Sequence, residues 1–388
     1  MNRSLPTADR YDAIIVGARV AGAATALRLA HGGRRVLAVE RGRYGSDTLS
    51  TLALMRGGVF QLNRWGVLER LLATSPPPIR ETKFHYADEV VPFALRSQDG
   101  VEALYAPRRA VLDAQLVDAA RAAGAEVVHE VRVVDLVRAP DGRVCGAVRD
   151  DPGQGRRPVA AQIVIGADGA DSTVARRVGA PVERAGRRAS GVVYGFFAGL
   201  GRTGFHWHFN TGVAAGVIPT HGGLACVFAA VPSQRFEAEI RRDLAAGHAR
   251  VLGENDPALA EAVAGARRVG PLRGFPGRPG HLRRAWGPGW ALVGDAGYFK
   301  DPITAHGITD ALRDAELVAR AVRRGTKAAF AEFQALRDTL SQRLFEISDE
   351  IAGFDWSLAE VQALHVDLSR EMNREVIALR DLDSGADL

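Results

Sequence analysis

The chain has 388 residues, enough for two domains at roughly 100–200 residues each. Hydrophobic residues make up 47% and charged residues 24%, the balance of a folded globular protein, which excludes wholesale disorder and a collagen-like repeat. The net charge is +5, but the basic residues are scattered rather than clustered, so nucleic acid is not an expected partner.

No apolar run approaches the roughly 20 residues of a membrane span. Met1 to Arg10 carries no apolar leader. Cys145 and Cys226 form neither a metal-ligand spacing nor a disulfide framework. The expectation is a cytoplasmic enzyme without metal or membrane span, a monomer or a homodimer.

In chain order, residues 11–16 predict a strand, 17–22 a Gly-rich turn, 23–31 a helix stopped by Gly32 and Gly33, and 35–40 a second strand. Together they make a βαβ unit of about 30 residues, the builder of parallel sheets. Residues 57–72 have helical spacing, Pro76, Pro77 and Pro78 break it, and 83–95 is strand-like. A helix is predicted over 109–123 and strands over 126–128, 132–137 and 144–148. Another buried strand, 162–165, ends at the turn 166–169, before a basic helix from Ser172. Residues 192–197, 205–209, 214–219 and 224–231 predict a mostly antiparallel sheet. Helices over 236–252 and 256–264, a Pro- and Gly-rich connection over 270–289 and a strand at 291–293 come next. An unbroken helix over 303–323 and an amphipathic helical stretch over 330–379 end the pattern.

Three short motifs fall where predicted strands end, the side on which an α/β sheet binds ligands. The first is Gly17, Ala18, Arg19, Val20, Ala21 and Gly22, a turn whose backbone N–H groups and helix start can face a pyrophosphate. Glu40 follows 23 residues after Gly17, near the ~20 expected for the acid that meets a ribose. Arg19 departs from the pattern, which has Gly at that position; its guanidinium is expected on the pyrophosphate or toward the ring of the cofactor. The second motif is Gly166, Ala167, Asp168 and Gly169 with Ser172 and Arg176. The third is Gly294, Asp295, Ala296 and Gly297 with Pro302, Gly307, Asp310 and Asp314. Alone, Asp168 and Asp295 also fit turn residues that cap the next helix.

With Arg109, Ala110, Val111, Leu112 and Asp113 as an R-x-x-L-D element, the set resembles the group A FAD-dependent monooxygenases of p-hydroxybenzoate hydroxylase-like fold. Geranylgeranyl reductases and flavin-dependent halogenases are relatives of that family. The resemblance implies an α/β fold: a discontinuous Rossmann-like FAD-binding domain (1–80, 106–180, 280–328), a mostly antiparallel-sheet substrate domain (81–105, 181–279) and C-terminal helices (329–388). It implies that Gly17, Ala18, Arg19, Ala21 and Gly22 hold the pyrophosphate, Glu40 and Arg41 the adenosine side, and Val133 the adenine. Arg109 would meet the ribityl phosphate, Asp168 both FAD and the nicotinamide, and Gly294 and Asp295 the ribityl chain. Pro302, Ala305, His306, Gly307 and Ile308 would run beneath the isoalloxazine, with His306 as the catalytic candidate.

The activity implied is NAD(P)H-driven hydroxylation or epoxidation of an aromatic or polyketide-like molecule by O₂ through a flavin C4a-hydroperoxide. The alternative is a geranylgeranyl-reductase-like saturation of an isoprenoid or other apolar substrate. The halogenase element W-x-W-x-I-P is not reproduced by Phe205 to Phe209 and the separate Ile218 and Pro219. Strand alternation puts Phe205, Trp207 and Phe209 on one face and His206 and His208 on the other, so one face is expected to line a pocket. Phe333, Leu336, Leu340, Leu344, Ile347 and Ile351 form a helical stripe that packs on the FAD domain or serves as a dimer face.

Overall fold

The computed structural model describes residues 10–50 and 52–382. The expectation about an N-terminal leader lies, apart from Arg10, outside the described residues. Two sheets organise the chain. In the first, strands Trp290–Leu292, Gly155–Gly166, Tyr11–Val16, Val36–Val39 and Glu126–Val128 lie side by side and parallel. Apart from the exposed first half of Gly155–Gly166, these strands are mostly apolar, because helices cover one face of the sheet and the strands Arg132–Arg138 and Val144–Asp151 with the helix Thr173–Val178 cover the other. The helix Val20–His31 packs on the first of these faces with Ala23, Ala24, Ala26 and Ala30 buried; side chains this small let it lie close to its neighbour Gly307–Arg324.

Gly155–Gly166 does two jobs. Its first half pairs antiparallel with Val144–Asp151, and its second half pairs parallel with Tyr11–Val16. The sequence reading finds only the apolar second half, since the first half, with Arg156 and Arg157, is exposed and lacks a hydrophobic pattern.

The second sheet has seven strands in the order Arg267–Phe275, Ser190–Ala198, Leu224–Pro232, Val213–Thr220, Phe205–Asn210, Glu81–Tyr86 and Glu89–Ala94. All neighbours are antiparallel except Phe205–Asn210 and Glu81–Tyr86, which run parallel. Residues 83–95 are therefore a hairpin rather than one strand, turning at Ala87 with φ 49°. Residues 267–275, expected to lead into a structureless connection, form an edge strand; six of its nine residues are Gly, Pro or Arg, which hides it from a hydrophobicity search. One sheet face meets the C-terminal helices through Tyr194, Phe209 and Trp207, and the other is covered by Phe236, Ile240, Val251 and Leu259.

Four predicted helices are interrupted. Gly66, with φ 67°, separates Arg56–Arg64 from Leu68–Leu72. Residues 236–252 divide into the π-helix Phe236–Ile240 and the helix Leu244–Asn255, which Asp243 caps through two N–H groups. Residues 303–323 divide at Ala305, φ 53°, into the short turn Pro302–Thr304 and the helix Gly307–Arg324. Residues 330–379 divide at Phe354, φ 57°, into Lys327–Ile351 and Leu358–Asp381, the latter opened by a capping box of Ser357 and Glu360. The hydrophobic period continues across each break, so periodicity alone cannot locate it. The C-terminal stripe is consumed within the chain: Phe333 joins the core of the parallel sheet, and Leu344, Ile347 and Ile351 join that of the second sheet.

Candidate active site

A cleft of about 760 Å³ lies between the two sheets. Its floor is the carboxyl end of the parallel strands, where the chain leaves Val16, Val39 and Gly166 for its loops. Gly17 has φ 95°, and a Cβ there would lie 2.4 Å from the carbonyl oxygen of Ala167, so only glycine lets the first and second motifs close against each other. At Gly22 a Cβ would fall 1.8 Å from the Gly17 carbonyl oxygen, which fixes the tightness of the turn. The first-turn N–H groups of Val20–His31 have no intrahelical acceptor, which leaves a positive helix end at the cleft.

Arg19 follows a different course from the expected one. Its backbone, φ −83° and ψ −164°, needs no glycine. Its guanidinium donates to Asp113 Oδ2 at 3.0 Å and to the Ser46 carbonyl at 2.9 Å, tying the first motif to the R-x-x-L-D element. Arg109 clasps the same carboxylate through Nε at 3.1 Å and Nη2 at 3.2 Å, while its side chain lines the cleft. Asp113 thus neutralises two arginines behind the Gly17 turn.

Glu40 is buried; its Oε2 accepts the N–H of Ala18 and its Oε1 that of Gly42, each at 2.8 Å. One lone pair on each oxygen remains for a ligand hydroxyl. Asp168 accepts from the Ser172 hydroxyl and, through Oδ2, from the Thr173 N–H at 2.6 Å, so it steadies the start of Thr173–Val178 while also lining the cleft. Burial pushes its carboxyl up, against those hydrogen bonds. Asp295 differs: its carboxylate opens into the cleft, accepts no hydrogen bond among the described residues, and is pushed up by its recessed position. An acceptor left unmatched at the floor of a cleft is what a ligand hydroxyl would satisfy.

Val16, Gly17, Arg19, Ala21, Glu40, Arg41, Arg109, Val133, Asp168, Asp295, Pro302, Ala305, Gly307 and Ile308 all line this one cleft. Ala18, Gly22 and Gly294 support it from behind. His306 does not line it. Its ring is buried beneath the helix start, with Nε2 2.6 Å from Glu375 Oε2, and burial pushes the imidazole down despite that carboxylate. The expected place beside flavin and substrate is thereby corrected: the left-handed Ala305 turns the chain so that His306 faces inward.

Beneath the helix start lies a closed ionic cluster. Arg313 donates to Asp310, Asp314 and Glu375, and Lys300 pairs with Asp310. Asp314 also accepts the N–H of Gly294 at 3.0 Å, so the third motif is anchored by it. Lys300 lines the cleft and is pushed down to about 7 by burial and by Arg313. The sequence reading passes over Lys300, although a chain with three lysines among 50 basic residues marks each of them. Glu375 carries no local signal; it sits 69 residues away on another helix.

The far wall of the cleft comes from the second sheet: Val192, Tyr194, Trp207, Phe228 and Ala230. Trp207 faces the cleft and His206 and His208 face away, as alternation requires. Tyr194 Oη accepts the Ser50 N–H at 3.2 Å, which brings residues 48–50, with Leu52 and Ala53, against this aromatic wall.

A Gly-rich turn at a strand end, the buried Glu40, the unmatched Asp295 carboxylate and two helix starts meet on one cleft, the site of an FAD-dependent oxidoreductase of the group A flavoprotein type. Residues 10–255 match the FAD binding domain family, and the chain belongs to it. Among curated proteins it is 27% identical over 347 residues to a menaquinone reductase of Mycolicibacterium smegmatis, covering 86% of this chain and 80% of that one. It is 32% identical over 178 residues to the probable electron transfer flavoprotein-quinone oxidoreductase YdiS of Escherichia coli, of which only 39% is covered. Among solved structures, the flavin-dependent brominase Bmp2 shares the fold with TM-score 0.78 at 18% identity, covering 95% of this chain and 93% of that one. PqsL of Pseudomonas aeruginosa, solved with 2-aminobenzoylacetate, does so with TM-score 0.74 at 24% identity, covering 88% and 96%. No helix among the described residues is long and apolar enough to cross a membrane.

Proposed function

We propose that the protein is an NAD(P)H-driven, FAD-dependent monooxygenase that hydroxylates or epoxidises an aromatic or polyketide-like small molecule. The observation that carries this reading is the continuity of one cleft from the Gly17 turn, past the helix start at Gly307, to the wall of Tyr194, Trp207 and Phe228. Bound FAD would supply hydride acceptance and oxygen activation. The chain's residues do the rest. The turn 17–22 and the helix start behind it would hold the pyrophosphate, Glu40 a ribose, and Asp295 a ribityl hydroxyl. The first turn of Gly307–Arg324 presents N–H groups and a positive end that favour negative charge at that place. The aromatic wall would orient a planar substrate and exclude water, whose entry wastes reducing equivalents as H₂O₂. His306, turned away from the cleft, acts as a positioning residue: it braces the Pro302–Ala305 turn through Glu375 and Arg313.

The whole-length similarity to a menaquinone reductase favours a second reading, saturation of an isoprenoid or other apolar substrate in the same cleft. One experiment separates them. The flavin absorbance is followed during anaerobic NADPH addition and again on readmitting air, with aromatic acids or with menaquinone. Substrate-accelerated O₂ uptake with a product one oxygen heavier, and little H₂O₂, supports the first reading. A product two hydrogens heavier that forms without O₂ and that air does not reoxidise, as it would a quinol, replaces it with the second.

A further inference from the structure

The outer face of the second sheet, away from the cleft, carries three imidazoles that neither reading uses. His206 and His208 alternate onto this face from Phe205–Asn210, and His85 stands beside them on the parallel neighbour, in register with His208. One ring nitrogen of each lies within 4.8 Å of the others. His85 Nε2 is 3.1 Å from His206 Nδ1, and the rings of His85 and His208 stack with centroids 3.9 Å apart. His208 is 1% exposed, and neither of its ring nitrogens has a hydrogen-bond partner. Its nearest acid is Asp256, whose Oδ2 lies 3.2 Å from Nδ1 but off the line of a hydrogen bond.

A neutral imidazole always has one donor and one acceptor, and burying both without partners is a cost that folded proteins rarely leave standing. We propose that His85, His206 and His208 form a binding site for a zinc-type divalent cation, with Asp256 as the adjoining carboxylate. Three observations carry it. The rings come from two strands held in fixed register, so the cluster is built by the sheet. His206 Nε2 lies 2.9 Å from the carbonyl oxygen of Thr203, and donation there leaves Nδ1 with its lone pair toward the cluster, the arrangement by which ligating histidines are oriented. The spacings of 3.1 and 3.2 Å match the ~3.3 Å ligand-to-ligand edge of a tetrahedron with Zn–N near ~2.0–2.1 Å.

Without metal, His85 Nε2 is the donor to His206 Nδ1. Binding moves that proton to His85 Nδ1 and turns the ring out of its stack; His85 is the least enclosed of the three. Imidazole nitrogens select zinc, copper or nickel over calcium or magnesium. Asp256 and Glu81 supply negative charge nearby, while Lys83 and Arg202 oppose it; Lys83 is paired with Glu81 at 3.1 Å. The other such cluster among the described residues, His306 with Asp310 and Glu375, already holds Lys300 and Arg313 and has no vacancy for a cation. The expectation of a metal-free chain rests on cysteine spacing, which says nothing about histidines brought together from strands more than a hundred residues apart.

The test uses tag-free, FAD-loaded protein, stripped with EDTA and titrated with ZnCl₂ by calorimetry, with thermal unfolding read in parallel. One zinc per chain is expected, with a rise in Tm that CaCl₂ and MgCl₂ do not produce. His85→Gln, on the less buried ring, should weaken zinc at least about tenfold and abolish the Tm rise while leaving FAD content unchanged. Asp256→Asn, which keeps an oxygen to cap the following helix, should weaken it less. Zinc uptake and Tm shift identical in wild type and His85→Gln overturn the proposal, as does a wild-type protein that takes up no zinc.

Discussion

Asp301 Oδ2 accepts the backbone N–H of Ser190 at 2.7 Å, joining the turn under the cleft to the first residue of a central strand of the second sheet. The same carboxylate accepts the Ser190 hydroxyl and the N–H of Ile303. Burial pushes it up to about 6, and the three donors work against that rise. Asp301→Ala strands three buried donors at about 1–3 kcal/mol each, so a loss of at least about 3 kcal/mol is expected in urea unfolding. Asp301→Asn, which keeps one accepting oxygen, should lose less. A loss below about 1 kcal/mol for the alanine variant would show that the two sheets are not joined through this residue.

Glu375 reaches the cluster from the last helix and accepts from His306 Nε2 at 2.6 Å and Arg313 Nη1 at 3.0 Å. Against the cost of burial, His306 and Arg313 hold its carboxyl down to about 2. Glu375→Gln therefore leaves Arg313 short of one charge partner in a fully buried site, a change expected to cost about 3–5 kcal/mol. His306→Asn removes a neutral ring and should cost less. If His306 instead acted on substrate, its variant would lose turnover at full stability and full FAD occupancy; stopped-flow reduction and unfolding curves together distinguish the cases.

Arg19 and Glu40 flank the same turn with different roles. Arg19 is spent on Asp113 and Ser46, and Asp113 keeps Arg109 when Arg19 is removed. Arg19→Ala should change the FAD dissociation constant less than about fivefold, the range of a part-exposed ion pair. Glu40→Ala removes the acceptor of the Ala18 and Gly42 N–H groups together with the carboxylate proposed to meet the ribose, and a weakening above about tenfold is expected. Fluorescence quenching titrations with FAD rank the two; the reverse order would place the guanidinium on the pyrophosphate after all.

These contrasts also mark how far the sequence is legible. The Gly17 turn, Glu40, Asp168 and Asp295 announce themselves because their chemistry demands particular residue types at short, fixed spacings next to strand ends. The alternation that separates Trp207 from His206 and His208 is equally local. Glu375, Asp301 with Ser190, and His85 with His208 are different: each pair is joined across 69 or more residues, and the partner sits in a segment whose pattern reports only packing. His306 was misplaced because one residue in the left-handed region, Ala305, reverses which way its neighbour points, and alanine gives no warning of that conformation.

The protein should weaken in mild acid through histidines far from the cleft. His248 is pushed down to about 4 and His365 to about 3, both by burial; His248 Nε2 meets the Val227 carbonyl oxygen and His365 Nδ1 meets Tyr86 Oη. A folded pKa below the ordinary value of about 6.5 means that the unfolded chain takes a proton where the native state does not, so stability is full above pH 6.5 and falls as the pH drops. At pH 5 each group withdraws about 2 kcal/mol. Asp301 runs the other way, returning about 1.4 kcal/mol between pH 7 and 5 as its raised carboxyl protonates in the native state. His85, His208 and His281, pushed down by burial as well, add to the loss, so a net loss of at least about 2–3 kcal/mol is expected between pH 7.5 and 5, visible as a lower urea midpoint. His248→Gln, which cannot take the proton, should flatten the profile by about one histidine's share; a midpoint that holds steady down to pH 5 in the parent protein would mean these rings are not held neutral by their burial.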